Sequence, residues 1–533
     1  MITQRENRPS ATLQPPKMVL INANIVTMDP SCPLAEWVAI SRGTIRALGT
    51  SRDYYELVSD NAELIDCGGR SVLPGFIDTH LHLRAFAESC VSLDLSWTLG
   101  FKSIADFQSA IKTRCKEDPP GTWIRGRGYD EFHLIEKRHP TRWDLDEVAP
   151  DRPVKLTHRS GHAHVLNSLG LLFVGITGET GDPPGGLIDR NVTTGEPTGL
   201  LYEMGEFLSE RIPLLDKREL IRGLNVANHR LLSSGITSVQ DASHLNDLKR
   251  WKEICSWKEE GVFKPRINFM LGRKGFEQFG TTDFSDFSGS VSGDQLRIRG
   301  VKVMLDETTG QLHPPQRALN EMVLEIHRAG FQVAIHAIEE NTVESACSAI
   351  KHALDRIPRS DHRHRIEHCS VCTPDLLSRL ASLGIVVVTQ PSFIFFNGDR
   401  YLETIPAQKL QHLYRIGSLF KAGIPVAGSS DCPIVPPNPL IGIYSAVSRK
   451  SQTGKIIGHA EDIEPLDALR LYTSHAARAT FEENIKGTIT PGKLADLVVV
   501  TGDPTKMPAD EIKDLEVEMT ILNGEVMWSK KSS

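Results

Sequence analysis

The sequence PGFIDTHLHL, from Pro74 to Leu83, gives the first indication of the architecture. A Pro-Gly turn precedes an apolar run of strand character, and that run carries two histidines one residue apart. Side chains at a spacing of two share one face of a strand, so His80 and His82 are predicted to point the same way. Two such imidazoles form a natural chelate for a divalent metal, and two hydrogen-bonded core histidines are the alternative.

Further runs with the character of buried strands follow this one along the chain. Helical patterns such as PQRALNEMVLEIHRAG separate most of them, and alternating strands and helices predict a parallel sheet. The tally of eight strands predicts an α/β protein built on a closed (β/α)₈ TIM barrel. The predicted strands cover residues 75–82, 235–242, 266–271, 299–305, 331–337, 363–369, 384–391 and 424–431.

The two ends of the chain share a different sequence pattern, in which short β-like runs alternate with turns. Residues 18–73 and 480–533 are therefore predicted to form one small discontinuous β-sandwich domain, with the barrel over residues 74–479. The interval of about 83–234 is too long for a single crossover, so we expect an insertion after the first strand that helps to roof the active site. Residues 1–17 are polar and contain prolines, which predicts a flexible tail.

Composition narrows the class of protein. The 533 residues carry a net charge of −7, which argues against nucleic acid as a partner and favours a small-molecule substrate. We expect no membrane segment, because no stretch approaches the roughly 20 apolar residues that span a bilayer. The N-terminus lacks the apolar core of a signal peptide, and the nine cysteines are scattered, so a cytoplasmic location is expected.

Other chemically active residues also fall at or near the ends of predicted strands. Active sites of such barrels lie at the carboxyl ends of the strands, so these residues are predicted to converge on a metal site. Asp431 is the predicted catalytic residue, because a carboxylate beside a metal-bound water can ligate the ion and take the proton of the water. The predicted metal ligands are His80, His82, Lys302, His336, His368 and Asp431.

Several long stretches resemble the amidohydrolase superfamily of metal-dependent hydrolases, in its YtcJ-like branch, which includes a formamide deformylase. They are LPGFIDTHLHL, SGHAHVLNSLGL, RIEHCSVCTPDLLSRLASLGIVVVTQP, AGSSDCPIVPPNPLIGIYSAVSR and GTITPGKLADLVVV. The resemblance implies that His80 and His82 bind one metal, with Asp431 as a ligand and general base. It implies that His336 and His368 bind a second ion or orient the hydroxide, and a homodimer is one assembly it leaves open.

The fourth strand carries a lysine at the place where some relatives have a carbamylated lysine that bridges two ions. Lys302 occupies that place. An ordinary ammonium would repel a nearby cation, so the resemblance requires carbamylation or displacement of this side chain. A lysine paired with a neighbouring carboxylate is the alternative interpretation.

Three further residues are predicted to contact substrate. Resemblance of LTHRSGHAHVLNS and RGRGYDE to family segments near the pocket implies that His162 contacts substrate and that Tyr129 lines the pocket. The chain departs from the family after His336, where HAIEENTV replaces the usual Gly-Asp pair. Glu339 then gives the HxxE spacing of related deaminases, in which the glutamate shuttles protons. The alternative is that Glu339 only begins a helix, where an acidic residue suits the dipole.

The resulting expectation is a hydrolase that cleaves a non-peptide C–N bond of a small amide, formamide or cyclic amide through a metal-activated hydroxide. One or two divalent ions are expected, with zinc as the default because histidine and aspartate ligands suit it. Deamination of a heterocycle, with Glu339 as the shuttle, is the first alternative. A ligand-binding barrel without catalysis is the third hypothesis.

Overall fold

A ring of eight parallel strands forms the centre of the protein. The computed structural model describes residues 16–50, 54–55, 62–279, 293–307 and 310–530, so most of the predicted tail lies outside it. Each strand pairs in parallel with the next, which confirms the predicted (β/α)₈ barrel. The barrel strands are β1 Phe76–Leu81, β2 Ile236–Asp241, β3 Arg266–Leu271, β4 Leu296–Val303, β5 Gln332–Ala337, β6 Arg365–His368, β7 Val386–Thr389 and β8 Val426–Gly428.

The first and last strands meet through side chains and loops rather than through a regular ladder. The Thr79 hydroxyl of β1 donates to the carbonyl of Gly428 in β8 at 2.9 Å. The backbone amide of Asp431 donates to the carbonyl of His80 at 2.8 Å. These bonds join the two edges of the sheet and bring Asp431 beside the end of β1.

Amphipathic helices cover the outside of the barrel. Leu319, Val323 and Ile326 recur on one face of the helix after β4, and this face packs into the apolar layer against the strands. Among the described residues, no helix is both long and apolar enough to cross a bilayer. The helices are Lys217–Ser233, Leu248–Glu259, Arg273–Phe279, Gln316–Arg328, Glu340–Arg356, Pro374–Leu383, Ser392–Thr404, Ala407–Leu410, Ile416–Lys421, Pro439–Ser448, Pro465–Leu471 and Ser474–Ala479.

Strands from both ends of the chain form two further sheets that pack on each other. Leu20 and Ile40 of the four-stranded sheet contact a shared apolar core with Val72, Leu497 and Ile521 of the six-stranded sheet. The pairing of Leu497–Val500 with Ser71–Pro74 joins the two termini directly. The strands are Met18–Ile21, Asn24–Val26, Leu34–Ala35, Trp37–Ser41, Thr44–Gly49, Glu63–Asp66, Ser71–Pro74, Leu497–Val500, Val517–Leu522 and Glu525–Ser529.

Residues between β1 and β2 form a separate six-stranded sheet with its own helices. The turn between two of its strands reaches the barrel mouth, where Gly161 lies against Ile434 after β8. The helices Leu83–Ser89 and Lys217–Ser233 belong instead to the barrel, because Leu83, Phe86 and Leu224 pack in the barrel's outer layer. The strands of the insertion are Leu93–Asp94, Ile124–Tyr129, Val154–His158, Ala163–Leu166, Leu187–Arg190 and Pro197–Tyr202; its helices are Ile104–Glu117, Arg142–Asp146, Ser168–Val174 and Gly205–Arg211.

A buried ion pair ties the barrel to the terminal sheets, and breaking it is expected to destabilise the protein. Arg266 of β3 donates to both carboxylate oxygens of Asp496, at 2.6 and 3.0 Å. An Asp496→Asn variant leaves a buried guanidinium with reduced compensation and should lose about 3 kcal/mol of unfolding free energy in chemical denaturation. The same change in the exposed Lys351–Asp355 pair, Asp355→Asn, should cost less than about 1 kcal/mol. Equal losses in the two variants would contradict this assignment.

Candidate metal centre and active site

Four histidines and one aspartate meet at the carboxyl ends of the barrel strands. His80 lies in β1, His82 directly follows it, His336 lies in β5 and His368 ends β6. Asp431 follows β8, and its Oδ1 lies 3.1 Å from Nε2 of His82 and 3.5 Å from Nε2 of His80. These three side chains place their ligand atoms within 4.8 Å of one another, close enough to share one ion.

The other two histidines extend this group into a continuous arc. The ring centroids of His80 and His368 are 5.0 Å apart, and those of His368 and His336 are 4.5 Å apart. His368 Nδ1 also lies 4.0 Å from a carboxylate oxygen of Asp431. The structure therefore brings together the four histidines and the aspartate that the sequence singled out.

Three of the four imidazoles share a hydrogen-bonding pattern. Each Nδ1 has a partner: His80 has Glu367, His82 has Ser243 at 3.2 Å, and His368 has Gln390 at 2.8 Å. Nε2 of His80 and Nε2 of His368 are buried and have no hydrogen-bond partner among the described residues. Buried polar atoms are rarely left unpaired, so these nitrogens fit the ligands of an ion.

The electrostatics of the arc also suit a cation. Burial, with the nearby Lys302, lowers the pKa of His80 well below its usual value, and burial lowers the pKa of His368 to about 4. Burial likewise lowers the pKa of His336. Burial opposes ionisation of Asp431, yet the hydrogen bond from His82 and the neighbouring imidazoles hold its pKa below the usual range. Neutral imidazoles around an ionised carboxylate are the protonation states that metal binding requires.

Lys302 lies inside the barrel close to this arc. Its Nζ is buried without a hydrogen-bond partner in the described parts of the chain. Burial lowers the pKa of Lys302 to about 8, and the charges of Glu367 and Asp431 act in the opposite direction. A substantial fraction of this side chain is therefore a neutral amine near pH 8.

The insertion contributes one imidazole to the mouth of the barrel. The ring centroid of His162 lies 6.1 Å from that of His336, and 39% of its side chain is exposed. Its Nδ1 lies 2.9 Å from a carboxylate oxygen of Glu203. Burial opposes protonation, but the hydrogen bond and charge of Glu203 raise the pKa of His162. His162 is thus accessible from the mouth, and Glu203 stabilises the protonated form of its ring.

Two predicted substrate contacts are not brought to this site. Tyr129 is fully buried, and its hydroxyl lies 3.1 Å from Nδ1 of His139 in the core of the insertion. It has no exposed surface in this structure, and its place in the lining of the pocket stays a prediction. Glu339 immediately precedes the helix Glu340–Arg356, is 53% exposed and lies 3.6 Å from Lys409. This is the helix-start interpretation, and nothing in the described structure directs Glu339 at the metal ligands.

Sequence reasoning missed the residues that orient the ligands. Glu367 stands next to His368 in the quoted RIEH, and its inward position followed from strand alternation. Ser243 stands two residues after the end of β2 in QDASH, and its hydroxyl lies 3.2 Å from Nδ1 of His82. Gln390 gave no signal beyond its place at the end of β7, because glutamine is not a metal ligand of first choice.

A second group of possible ligands lies in the insertion but is already charge-compensated. Asp130, Glu131 and His158 place ligand atoms within 4.8 Å of one another. Arg400 donates to Asp130 at 2.9 Å and to Glu131 at 2.7 Å, and Arg159 lies 3.4 Å from Asp130. Two guanidiniums beside the carboxylates disfavour a cation, so the arc at the barrel rim is the stronger candidate for a metal centre.

The (β/α)₈ barrel and the arc of histidines and aspartate at its rim are together typical of an enzyme that binds a divalent metal. The chain belongs to the amidohydrolase family, whose sequence model matches residues 63–528. It is 28% identical to N-substituted formamide deformylase of Arthrobacter pascens, over 97% of this chain and 99% of that protein. It is also 28% identical to the putative amidohydrolase YtcJ of Bacillus subtilis (strain 168), over 95% of this chain and 98% of that protein.

Solved structures show the same architecture. An uncharacterized metal-dependent hydrolase from Pyrococcus horikoshii OT3 aligns with a TM-score of 0.73 at 24% identity, over 92% of this chain and 99% of that chain. This likeness supports the fold. Family membership makes the protein a hydrolase that acts on carbon–nitrogen bonds.

Proposed function

We propose that the protein hydrolyses a non-peptide C–N bond in a small amide, formamide or cyclic amide, with a divalent metal at the rim of the barrel. The observation that carries this proposal is the convergence of His80, His82 and Asp431, whose ligand atoms lie within 4.8 Å of one another. The similarity over nearly the full length of N-substituted formamide deformylase supports an amide of this kind as substrate.

The residues at the rim fit a metal ion because their unpartnered imidazole nitrogens offer lone pairs and the ionised carboxylate offers negative charge. His80, His82 and Asp431 would hold one ion, and His336 and His368 would hold a second or orient the nucleophile. When bound, the ion lowers the pKa of a coordinated water toward neutrality and polarises the carbonyl of the substrate. Zinc is our proposal for the metal, since imidazole and carboxylate ligands suit it and it serves hydrolysis.

Asp431 and His162 supply the proton chemistry. Asp431 is ionised, so a carboxylate oxygen can accept the proton of the attacking water and return it to the departing nitrogen. His162 faces the arc from the insertion and can donate a hydrogen bond to the oxygen that gains negative charge. Glu203 holds the His162 ring for this task through its contact with Nδ1.

Lys302 takes one of two states in this proposal. Its neutral amine can add to carbon dioxide, which forms an N–C bond and releases one proton to solvent, and the carbamate would offer anionic oxygens in place of a cation that repels the metal. Displacement of the ammonium from the ion is the other state. Carbon-13 NMR of protein prepared in labelled bicarbonate separates them, because only the carbamate gives a labelled carbonyl signal that the Lys302→Arg variant lacks.

A Glu339→Gln variant is expected to keep its activity within about threefold of the parent, because substitutions on an exposed surface have small effects. The side chain is half exposed, lies beside Lys409 and has no described contact with the metal ligands. Steady-state kcat/KM on the best substrate checks this. A loss of several hundredfold, together with ammonia as product, would favour the deaminase alternative.

The experiment that tests the proposed function is a substrate screen on the metal-loaded protein. Small amides, formamides, cyclic amides and aminated heterocycles are incubated separately, and organic amine and ammonia are scored in parallel. Release of an organic amine from a formamide or amide supports the proposal. Ammonia from heterocycles alone would replace it with deamination, and no turnover of any class would favour a binding barrel.

A further inference from the structure

The interior of the barrel below the rim holds a buried ion pair that the proposed chemistry does not use. Arg365 and Glu367 both lie in β6, and both side chains are completely buried. Arg365 contacts Glu367 through Nε on Oε1 and through Nη2 on Oε2, the latter at 3.0 Å. A buried ion pair often adds little to stability, so stability alone does not explain why these two charged residues are buried here.

The guanidinium is itself fixed from two other strands. Nη2 of Arg365 donates to the carbonyl of Thr79 in β1 at 2.8 Å, and Nη1 donates to Oε1 of Gln240 in β2. Arg365 is thus held by β1, β2 and β6 together. The Glu367 carboxylate that Arg365 contacts therefore has little freedom to rotate.

The same carboxylate reaches a proposed metal ligand. Oε2 of Glu367 makes a short contact with Nδ1 of His80. An ionised carboxylate only accepts, so Nδ1 carries the proton and Nε2 keeps its lone pair. That Nε2 is the atom directed at Asp431, 3.5 Å away.

His80 differs from the other two oriented histidines in the charge of its partner. His82 has a hydroxyl partner on Ser243, and His368 has an amide partner on Gln390. Hydrogen bonds to a charged acceptor are roughly twice as strong as those between neutral groups. Orientation is therefore most firmly imposed on His80, the most buried of the three.

We propose that Glu367 is a positioning residue of the metal centre, which fixes the tautomer and ring orientation of His80, while Arg365 holds the carboxylate in place. This inference rests on the proposed function, because it gives His80 the role of a ligand. Removing the partner of a metal-bound histidine typically lowers metal affinity by 10- to 100-fold.

Glutamine at this position changes the hydrogen bond without changing the shape. An amide that turns its NH₂ toward Nδ1 favours the tautomer with the proton on Nε2, where the metal would bind. Glu367→Gln is therefore expected to weaken zinc binding by about 10- to 100-fold. Competition against a chromogenic chelator with zinc alone measures this without reference to activity.

Arg365→Gln is the matched variant, because it breaks the same buried ion pair but leaves His80 its carboxylate partner. Both variants are expected to lower the melting temperature. Arg365→Gln should weaken zinc binding by less than about tenfold, below the range for loss of a ligand's own partner. If Glu367→Gln does not fold, the double variant Arg365→Gln/Glu367→Gln replaces it, since that protein buries neither charge.

The outcomes separate this inference from the proposed function. Selective loss of zinc affinity in Glu367→Gln, or in the double variant relative to Arg365→Gln, supports the positioning role. Equal zinc affinities in both single variants, or equal losses in both, would overturn it and leave the pair a purely structural element. A parent protein that binds no zinc would instead contradict the metal centre itself.

Discussion

An Asp431→Asn variant is expected to hydrolyse its substrate at least about 10³-fold more slowly than the parent, because it loses a general base and a charged ligand together. Asp431 has a backbone φ of +59°, and asparagine tolerates this left-handed conformation. The backbone and its amide bond to His80 should therefore persist, which assigns the loss to the carboxylate. The measurement is kcat/KM on a fixed metal-loaded preparation.

Asp355→Asn is the control for this prediction, because it makes the same chemical change at an exposed ion pair. Its kcat/KM should match that of the parent. A fully active Asp431→Asn protein with a normal metal content would show that another group takes the proton.

Removal of the metal is the second change expected to have a large effect. Dialysis against a strong chelator should lower activity by more than about 10³-fold, because in this proposal the bound ion is what brings the pKa of the attacking water toward neutrality. Zinc added back should restore activity and raise the melting temperature, because a ligand that binds only the folded state stabilises it. At about 1,000 times its dissociation constant, zinc should add about 4 kcal/mol.

Circular dichroism before and after chelation provides the control for metal removal. The apoprotein should keep its secondary structure, because the apolar layer between the strands and the helices contains none of the rim ligands. Full activity in protein shown to be free of transition metals would contradict the proposed metal-dependent chemistry.

Much of the fold was predictable because its signals are local and repeated. The eight barrel strands coincide with the eight predicted runs, since buried parallel strands are continuous apolar segments bounded by turns. The candidate site residues could be located from the same strand ends. Their roles as ligands stay predictions until a metal is measured.

Backbone conformation at the rim could not be predicted from periodicity. Ile366 packs in the apolar layer between strands and helices, so strict alternation would send His368 to the same outer side. His368 has a φ of +72°, and this left-handed turn brings its ring to within 5.0 Å of the His80 ring centroid. Strain of this kind, of the order of 1–3 kcal/mol, is maintained by the surrounding structure.

Side chains in the insertion were the least predictable. Resemblance to a family segment identifies the segment, but it does not say which of its side chains are exposed. His162 and Tyr129 both came from family-like segments, yet one faces the mouth and the other is fully buried. The difference arises from tertiary packing: Tyr129 contacts Phe107 and His158 inside the core of the insertion. Glu339 is a similar case, because its position directly before the helix Glu340–Arg356 is enough to explain the HxxE spacing.

The most direct test of the metal centre is anomalous diffraction from crystals of the protein purified without chelator. A peak is expected within about 2.0–2.2 Å of Nε2 of His80, Nε2 of His82 and a carboxylate oxygen of Asp431. No peak at the rim, or a peak only at the cluster of Asp130, Glu131 and His158, would contradict the account.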